Sequence, residues 1–93
     1  MNDMKKAVIS VLGIDKKGII AHVSAILLAH DANILDIKQT VVSEYFNMIL
    51  IADISSEACS FQALSDALTE LGNQIGLQIR TQRSEIFEAM YRV

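Results

Sequence analysis

Runs of apolar residues alternate along the chain between the spacing of strands and the spacing of helices. Residues 7–12 are an almost continuous apolar run rich in β-branched side chains, which is typical of a buried strand that ends at Gly13. Residues 34–42 alternate imperfectly and predict a half-exposed edge strand. Residues 46–54 carry apolar side chains on both faces and predict a central strand, and residues 77–82 predict a fourth strand.

A first helix is predicted between the first two strands. Its apolar positions have the spacing i, i+4, i+7 and i+8, at Ile19, Val23, Ile26 and Leu27. The polar segment 30–32 ends it. We expect Asp15 to cap this helix, because a carboxylate there accepts N–H groups of the first turn and opposes the positive end of the helix dipole.

A second helix is predicted over residues 61–75, where apolar residues step by three and four positions. Gly76 fits the left-handed position that closes a helix, whereas Gly72 is expected to cost about 1 kcal/mol relative to alanine. Ser84 can cap a short final helix with an apolar stripe of Ile86, Met90 and Val93.

This order predicts one α+β domain over residues 1–93, a ferredoxin-like βαββαβ sandwich with a four-stranded antiparallel sheet and a short C-terminal helix. Right-handed crossovers place both long helices on one face of the sheet. Ile49 and Ile51 make the other face apolar as well, and a monomer seldom exposes an apolar patch above about 600 Å². We therefore expect either the C-terminal helix or another subunit to cover that face.

Composition narrows the class of protein. With 52% hydrophobic residues the chain is not of the disordered type, and 8 basic against 11 acidic residues disfavour nucleic acid and membrane surfaces as partners. No apolar run reaches the roughly 18 to 20 residues of a spanning helix, and no signal-peptide core follows the N-terminus, which predicts a cytoplasmic protein. Cys59 is a single cysteine and cannot form a disulfide within the chain.

The polar residues offer no catalytic constellation. His22 and His30 stand eight apart, about 12 Å along a helix, too far to bind one metal ion without other ligands. Asp15, Asp36 and Asp53 lie at ends of predicted elements, where capping or solvation accounts for them. We therefore expect no enzyme, metal site or cofactor.

The first loop, residues 13–18, is the remaining candidate for ligand chemistry. Its two glycines match neither the phosphate-loop nor the dinucleotide fingerprint, so helix entry alone is one interpretation. The other is a groove for a small zwitterion, in which N–H groups at Gly18 and Ile19 hold the carboxylate and Asn33 takes the ammonium group. In one subunit the loop and Asn33 lie at opposite ends of the sheet, but antiparallel pairing of two second strands brings them together. Asn33 can also serve only the turn before the second strand.

These residues carry a family resemblance. Residues 8–20, VISVLGIDKKGII, and residues 32–37, ANILDI, resemble the ACT-domain pattern of a strand, a G-x-D-[RK]-x-G-I loop, a helix and a strand that begins with N-I. The similarity extends over essentially the whole chain. It is greatest to small stand-alone bacterial ACT proteins, and it is more distant to the ACT portions of the glycine-cleavage repressor and formyltetrahydrofolate deformylase.

The resemblance implies a regulatory module that binds an amino acid or similar small molecule and pairs side by side with a second copy. By position, Asp15, Gly18 and Ile19 represent the loop side of the site, and Asn33 represents the strand of the neighbour. We expect a homodimer or a dimer of dimers that acts on a regulated partner protein. The alternative is an assembly module that docks another protein and binds no metabolite.

Overall fold

The computed structural model describes residues 4–85, which form four strands and two helices in the predicted βαββαβ order. The elements are β1 (Lys6–Ile14), α1 (Ile19–Ala29), β2 (Asn33–Val42), β3 (Tyr45–Asp53), α2 (Phe61–Ile75) and β4 (Gln78–Arg83). The predicted C-terminal helix falls on residues 86–93, which lie outside the described residues. Neither described helix is long and apolar enough to cross a membrane.

The strands form one antiparallel sheet in the order β2-β3-β1-β4. The predictions that β2 is an edge strand and β3 a central strand are confirmed. The β2–β3 register shifts between Ile34 and Asp36, so Leu35 is an extra residue that bulges from the edge.

The core lies between the two helices and the sheet. Alternate residues of β1 and β3 point towards the helices and are fully or almost fully buried: Ala7, Ile9, Val11, Phe46, Met48, Leu50 and Ala52. They pack against the inner sides of the helices, through Ile19, Val23 and Leu27 of α1 and Leu64, Leu68 and Leu71 of α2. The spacing in the sequence therefore identified the inner faces correctly.

Strand β2 is more exposed than its pattern predicts. All ten of its residues are exposed, including Ile37 and Val41 on the side that faces the helix layer. The sequence pattern predicted a half-exposed strand because apolar and polar residues alternate imperfectly along it. In the structure, β2 stays open on both faces as well as along its edge.

Helix α2 is closed by tight turns at both ends. The Ser60 side chain accepts the Ala63 N–H at 3.2 Å, and Gly76 adopts φ 73° at the C-terminus, as predicted. The chain then turns back so closely that a Cβ added at Gly72 would lie 2.6 Å from the Leu77 carbonyl oxygen. Gly72 is thus needed for the approach of β4 to α2, a tertiary requirement that its helix propensity did not reveal.

We predict that Gly72→Ala lowers the free energy of unfolding by about 1–3 kcal/mol, because the added methyl group meets a backbone oxygen that cannot easily move. Urea denaturation measures the change. The matched control is Asn73→Ala, on the exposed side of the same helix, which gains helix propensity without a new contact. A Gly72→Ala variant more stable than the parent chain would contradict this account of the α2–β4 turn.

Candidate functional site

The loop between β1 and α1 borders a shallow cavity of about 230 Å³. Three of the four residues expected at a ligand site, Asp15, Gly18 and Ile19, line it together. Gln39 of β2 and Phe46 of β3 close the other side. The cavity is therefore bordered by the N-terminus of α1 and by the helix-side surface of the sheet.

The first turn of α1 has no side-chain cap. Gly18 is the N-cap residue, with φ 82° and ψ 8°, and the first turn contains no acidic residue. The first bond of the helix runs from the His22 N–H to the Gly18 carbonyl at 2.9 Å, so the N–H groups of Ile19, Ile20 and Ala21 precede it. Unpaired N–H groups at a helix N-terminus attract a carboxylate or another anion.

The prediction that Asp15 caps α1 is wrong. Asp15 lies three residues before the N-cap residue Gly18, and no side chain accepts a hydrogen bond from the first-turn N–H groups. Its backbone N–H instead donates to the Glu44 carbonyl at 2.8 Å, which ties the loop to the turn between β2 and β3. Within residues 4–85 the exposed Asp15 carboxylate makes no hydrogen bond, so it is available at the cavity.

Gly18 is suited to its position for two reasons. Its φ lies in the left-handed region, where a residue with a Cβ is strained by about 1–2 kcal/mol. The space beside it is also open, since an added Cβ would lie 3.6 Å from the His22 ring. Of these two reasons, only the open space beside residue 18 was apparent from the sequence. The backbone requirement means that Gly18→Val would also strain the loop, so this substitution does not test ligand access alone.

Asn33 lies at the opposite end of the sheet, as the topology predicts. It pairs with Asp53, whereas Gln39 is six residues further along β2, about 20 Å at the usual rise of a strand. One subunit therefore does not bring Asn33 to the β1–α1 loop.

The turn before β2 is stabilised by a residue other than Asn33. Asp31 adopts φ 58° and accepts a hydrogen bond from the Ser56 hydroxyl. The Asn33 side chain has no hydrogen-bond partner among the residues that the structure describes. The interpretation that Asn33 serves only this turn loses its main support.

The other candidate acids are held by local hydrogen bonds. Asp36 accepts the Ile37 N–H at 2.9 Å, and Asp53 accepts the Ser55 N–H at the same distance. Hydrogen bonds from the side chain and the backbone N–H of Ser55, together with the nearby Lys6 ammonium, hold the pKa of the Asp53 carboxyl below its usual value. No three His, Cys, Asp or Glu residues between positions 4 and 85 are placed to bind a metal ion.

Gln39 is a polar cavity residue from β2 that the sequence interpretation missed. The alternation of β2 places it between Ile37 and Val41 on the helix-side face, where it is the polar exception. The sequence feature that could have identified it is a polar amide on an otherwise apolar face of β2. The strand pattern alone did not show that the β1–α1 loop reaches the same face.

Comparisons of the sequence and of the structure with known proteins point to the same family. The sequence profile described as "ACT domain" matches residues 5–82. A UPF0237 protein from Bifidobacterium longum is 47% identical over 90 residues, which cover 97% of this chain and 100% of that protein. Since at most three residues are unmatched, the similarity includes at least five of residues 86–93.

Solved structures show the same fold. An ACT domain protein from Streptococcus pneumoniae superposes with a TM-score of 0.79 at 38% identity, covering 96% of this chain and 100% of that one. A structure described as a glycine cleavage system transcriptional repressor superposes with a TM-score of 0.77 at 22% identity, covering 88% of this chain and 47% of that one. At this lower identity the second comparison supports the fold alone.

We predict that Asp15→Ala changes the free energy of unfolding by no more than about 0.5 kcal/mol, because the side chain caps nothing. The control is Ser60→Ala, which removes the side-chain cap of α2 and is expected to cost about 1 kcal/mol. Urea denaturation of both variants compares the two helix starts directly. Equal losses would restore Asp15 as a cap.

Proposed function

The chain belongs to the ACT domain family, and we propose that it is a non-enzymatic regulatory module that binds an amino acid between two subunits of a homodimer. The observation that carries this proposal is the uncapped N-terminus of α1 beside the Asp15 carboxylate, in a shallow cavity that is bordered by Gln39 of the edge strand β2. ACT domains commonly bind amino acids in a regulatory role.

The proposed ligand is a zwitterion because the cavity offers partners for both charges. The N–H groups of Ile19 and Ile20 suit the α-carboxylate. The Asp15 carboxylate and the Gln39 amide oxygen are acceptors for the ammonium group, and Asn33 of the partner subunit would supply a further amide oxygen. A hydrogen bond to a charged group contributes about 1.5–3 kcal/mol, so two or three such bonds give useful affinity to a ligand of a few heavy atoms.

Antiparallel pairing of β2 with β2 of a second copy would complete the cavity. If the two-fold axis passes through the middle of β2, Asn33 of the partner subunit lies opposite Val42, at the end of the strand. The turn that follows Val42 is the one joined to the loop by the bond between the Asp15 N–H and the Glu44 carbonyl. The partner's Asn33 would therefore arrive next to the β1–α1 loop.

The surface beside β2 has the apolar character expected of a subunit interface. Helix α1 has only two polar residues, His22 and Ser24, and its outer residue Leu28 is 81% exposed. A helix that is apolar on both sides is usually buried. We call this outer side of α1, together with the exposed Ile37 and Val41 of β2, the α1–β2 surface.

The edge also carries features that limit unrestricted strand addition. Asp36 and Lys38 place charges on β2, and the bulge at Leu35 interrupts its pairing edge. These features favour a closed two-fold dimer over a fibre. In the proposed role, the dimer reports amino-acid binding to a separate regulated protein.

A second candidate function is an assembly module without a metabolite ligand. The α1–β2 surface favours it, because that surface needs a protein partner whether or not the cavity is filled. The two functions differ in one respect, which is whether a free amino acid stabilises the folded dimer.

We predict that at least one of the twenty amino acids raises the melting temperature of the chain in a thermal-shift panel. A ligand at about 100 times its dissociation constant adds about 2.7 kcal/mol of stability. Titration calorimetry then measures Asn33→Ala, which is expected to weaken binding about tenfold to a hundredfold. Asp15→Asn should weaken binding while leaving stability unchanged, since this side chain is not a cap.

The matched control for these variants is Gln78→Ala, which removes an exposed amide from β4 at the far edge of the sheet. It should bind like the parent chain. No response to any amino acid from a folded dimer would favour the assembly module. Parental affinity in both Asn33→Ala and Asp15→Asn would place the ligand elsewhere on the molecule.

We predict that Leu28→Asp shifts the chain from dimer towards monomer, because it places a charge on the α1–β2 surface without touching the core. Light scattering and sedimentation measure the mass. Thr69→Asp, on the exposed side of α2, is the control and should leave the mass unchanged. A parent chain that is monomeric at micromolar concentration would rule out the shared site.

A further inference from the structure

The hydrogen bonds of β3 determine which backbone groups lie at the outer edge of β2. Just beyond the two ends of the β1–β3 pairing, the Ile54 N–H donates to the Lys5 carbonyl and the Asp15 N–H donates to the Glu44 carbonyl, each at 2.8 Å. Residues of an antiparallel strand bond alternately to the strand on one side and to the strand on the other. Even-numbered residues of β3 therefore bond to β1, and odd-numbered residues of β3 bond to β2.

The same alternation continues into β2. From Asp36 onwards, even-numbered residues of β2 pair with odd-numbered residues of β3, so they bond to β3. The N–H and C=O groups of Ile37, Gln39 and Val41 therefore point outwards, where no further strand lies among residues 4–85. The Ile37 N–H agrees with this direction, because it donates to the Asp36 carboxylate at 2.9 Å.

Only part of this edge can form a regular ladder. The bulge at Leu35 puts the residues before it out of phase, and the turn at residues 43–44 ends the strand at Val42. The regular edge is therefore the segment 36–42, and its central residue is Gln39.

We propose that β2 pairs with β2 of a second copy in one register, in which the two-fold axis passes beside Gln39. Gln39 of the partner subunit then lies opposite Gln39, and all of the regular edge is paired. This inference specifies the homodimer of the proposed function and rests on it, but it does not depend on a bound ligand.

The backbone favours this register because it pairs every outward group of the regular edge. Ile37 lies opposite Val41 of the partner subunit, and each opposed pair of outward residues exchanges two hydrogen bonds. If the axis is moved by one residue in either direction, the bulge or the turn of the partner comes opposite the regular edge. The ladder then shortens from the segment 36–42 to 36–40 or 38–42.

The side chains fit the same register. On the helix side, Ile37 and Val41 form two symmetric apolar pairs across the axis, and on the other side Lys38 lies opposite Thr40 of the partner subunit. An axis at Lys38 would instead bring two ammonium groups together. An axis at Ile37 would pair Asp36 with Lys38, but exposed ion pairs contribute little, and the regular ladder would shrink to residues 36–38.

The register brings the two candidate cavities together. Gln39 borders the cavity of its own subunit, and the Cα atoms of opposed residues in a hydrogen-bonded pair are about 5.5 Å apart. An axis at Gln39, rather than at the middle of the whole strand, also carries Asn33 of the partner subunit past Val42 to the level of the turn at residues 43–44. There the Glu44 carbonyl accepts the Asp15 N–H of the β1–α1 loop.

Disulfide trapping tests the register, because only a residue on the axis lies opposite its own copy. In a Cys59→Ala background, Gln39→Cys is expected to form a covalent dimer on mild oxidation, seen at dimer mass on a non-reducing gel. Lys38→Cys and Thr40→Cys are the matched controls. Their two copies lie about 8 Å apart between Cα atoms, beyond the roughly 7 Å limit of a disulfide, so both should run at monomer mass.

Ile37→Cys tests the register with the ion pairs. With the axis at Gln39, its two copies are about 14 Å apart and cannot be joined. A covalent dimer from position 37, 38 or 40 in place of position 39 would overturn the register and leave the homodimer intact. If no position is joined although light scattering gives dimer mass, the register is overturned and the dimer contact lies away from β2. A monomeric parent chain would overturn the proposed function together with the register.

A second measurement uses the parent chain. In the pairs of an antiparallel ladder that exchange no hydrogen bonds, the opposed Cα atoms are only about 4.5 Å apart. Isotope-filtered nuclear Overhauser spectra of mixed labelled and unlabelled chains should therefore show a contact between the Hα atoms of Lys38 and of Thr40 of the partner subunit. A contact of Lys38 with Asp36 of the partner subunit in its place would overturn the register even if the cysteine variants fail to fold.

Discussion

The burial of the core between the two helices and the central strands, with no buried residue from β2, is the constraint from which the other features follow. Val23 and Leu27 of α1 are buried against the centre of the sheet, so the core is closed without any contribution from the edge strand. Strand β2 is then left with exposed apolar side chains and an unpaired edge. A single subunit thus has a closed core, but the apolar side chains and the edge of β2 remain uncovered. This uncovered surface borders the β1–α1 loop.

The loop has its shape because the backbone must turn sharply between β1 and α1. Gly18 in the left-handed region makes this turn, and it leaves the first N–H groups of the helix without a side-chain acceptor. An ordinary Ser or Asp cap would have satisfied those groups internally. Helix α2 shows the contrast, because Ser60 caps it and its N-terminus offers less to an anion.

Much of the fold could be predicted from the sequence, because periodicity depends on which side of an element is buried. The faces of β1 and β3, the order of the elements and the edge position of β2 all follow from that rule. The separation of Asn33 from the β1–α1 loop could also be predicted, because the antiparallel topology determines which strand ends lie at each end of the sheet. The candidate site residues Asp15, Gly18 and Ile19 were proposed from a local motif, and the structure shows that they line one cavity.

The features that were predicted wrongly or missed depend on the path of the chain between helices and strands. The periodicity of apolar residues carries no information about that path. Asp15 was assigned as a cap because it precedes the helix, but the turn through residue 18 moves the helix start beyond its reach. Gly72 was assessed by helix propensity alone, whereas its role depends on Leu77, five residues later and directly before β4. Gln39 was missed because its position beside the loop requires the relative placement of α1 and β2.

Sharing a site between two subunits has a thermodynamic consequence that a site within one subunit lacks. In the proposed arrangement, an amino acid held by the β1–α1 loop and by Asn33 of the partner subunit has its full set of contacts only in the dimer. Linkage then requires that the ligand strengthens dimerisation by the same factor by which dimerisation strengthens ligand binding. A contribution of about 2.7 kcal/mol from the partner side alone would correspond to a coupling of roughly a hundredfold. In the proposed arrangement, binding of a small metabolite would thereby be converted into a change of assembly at the α1–β2 surface, which a regulated protein partner could detect.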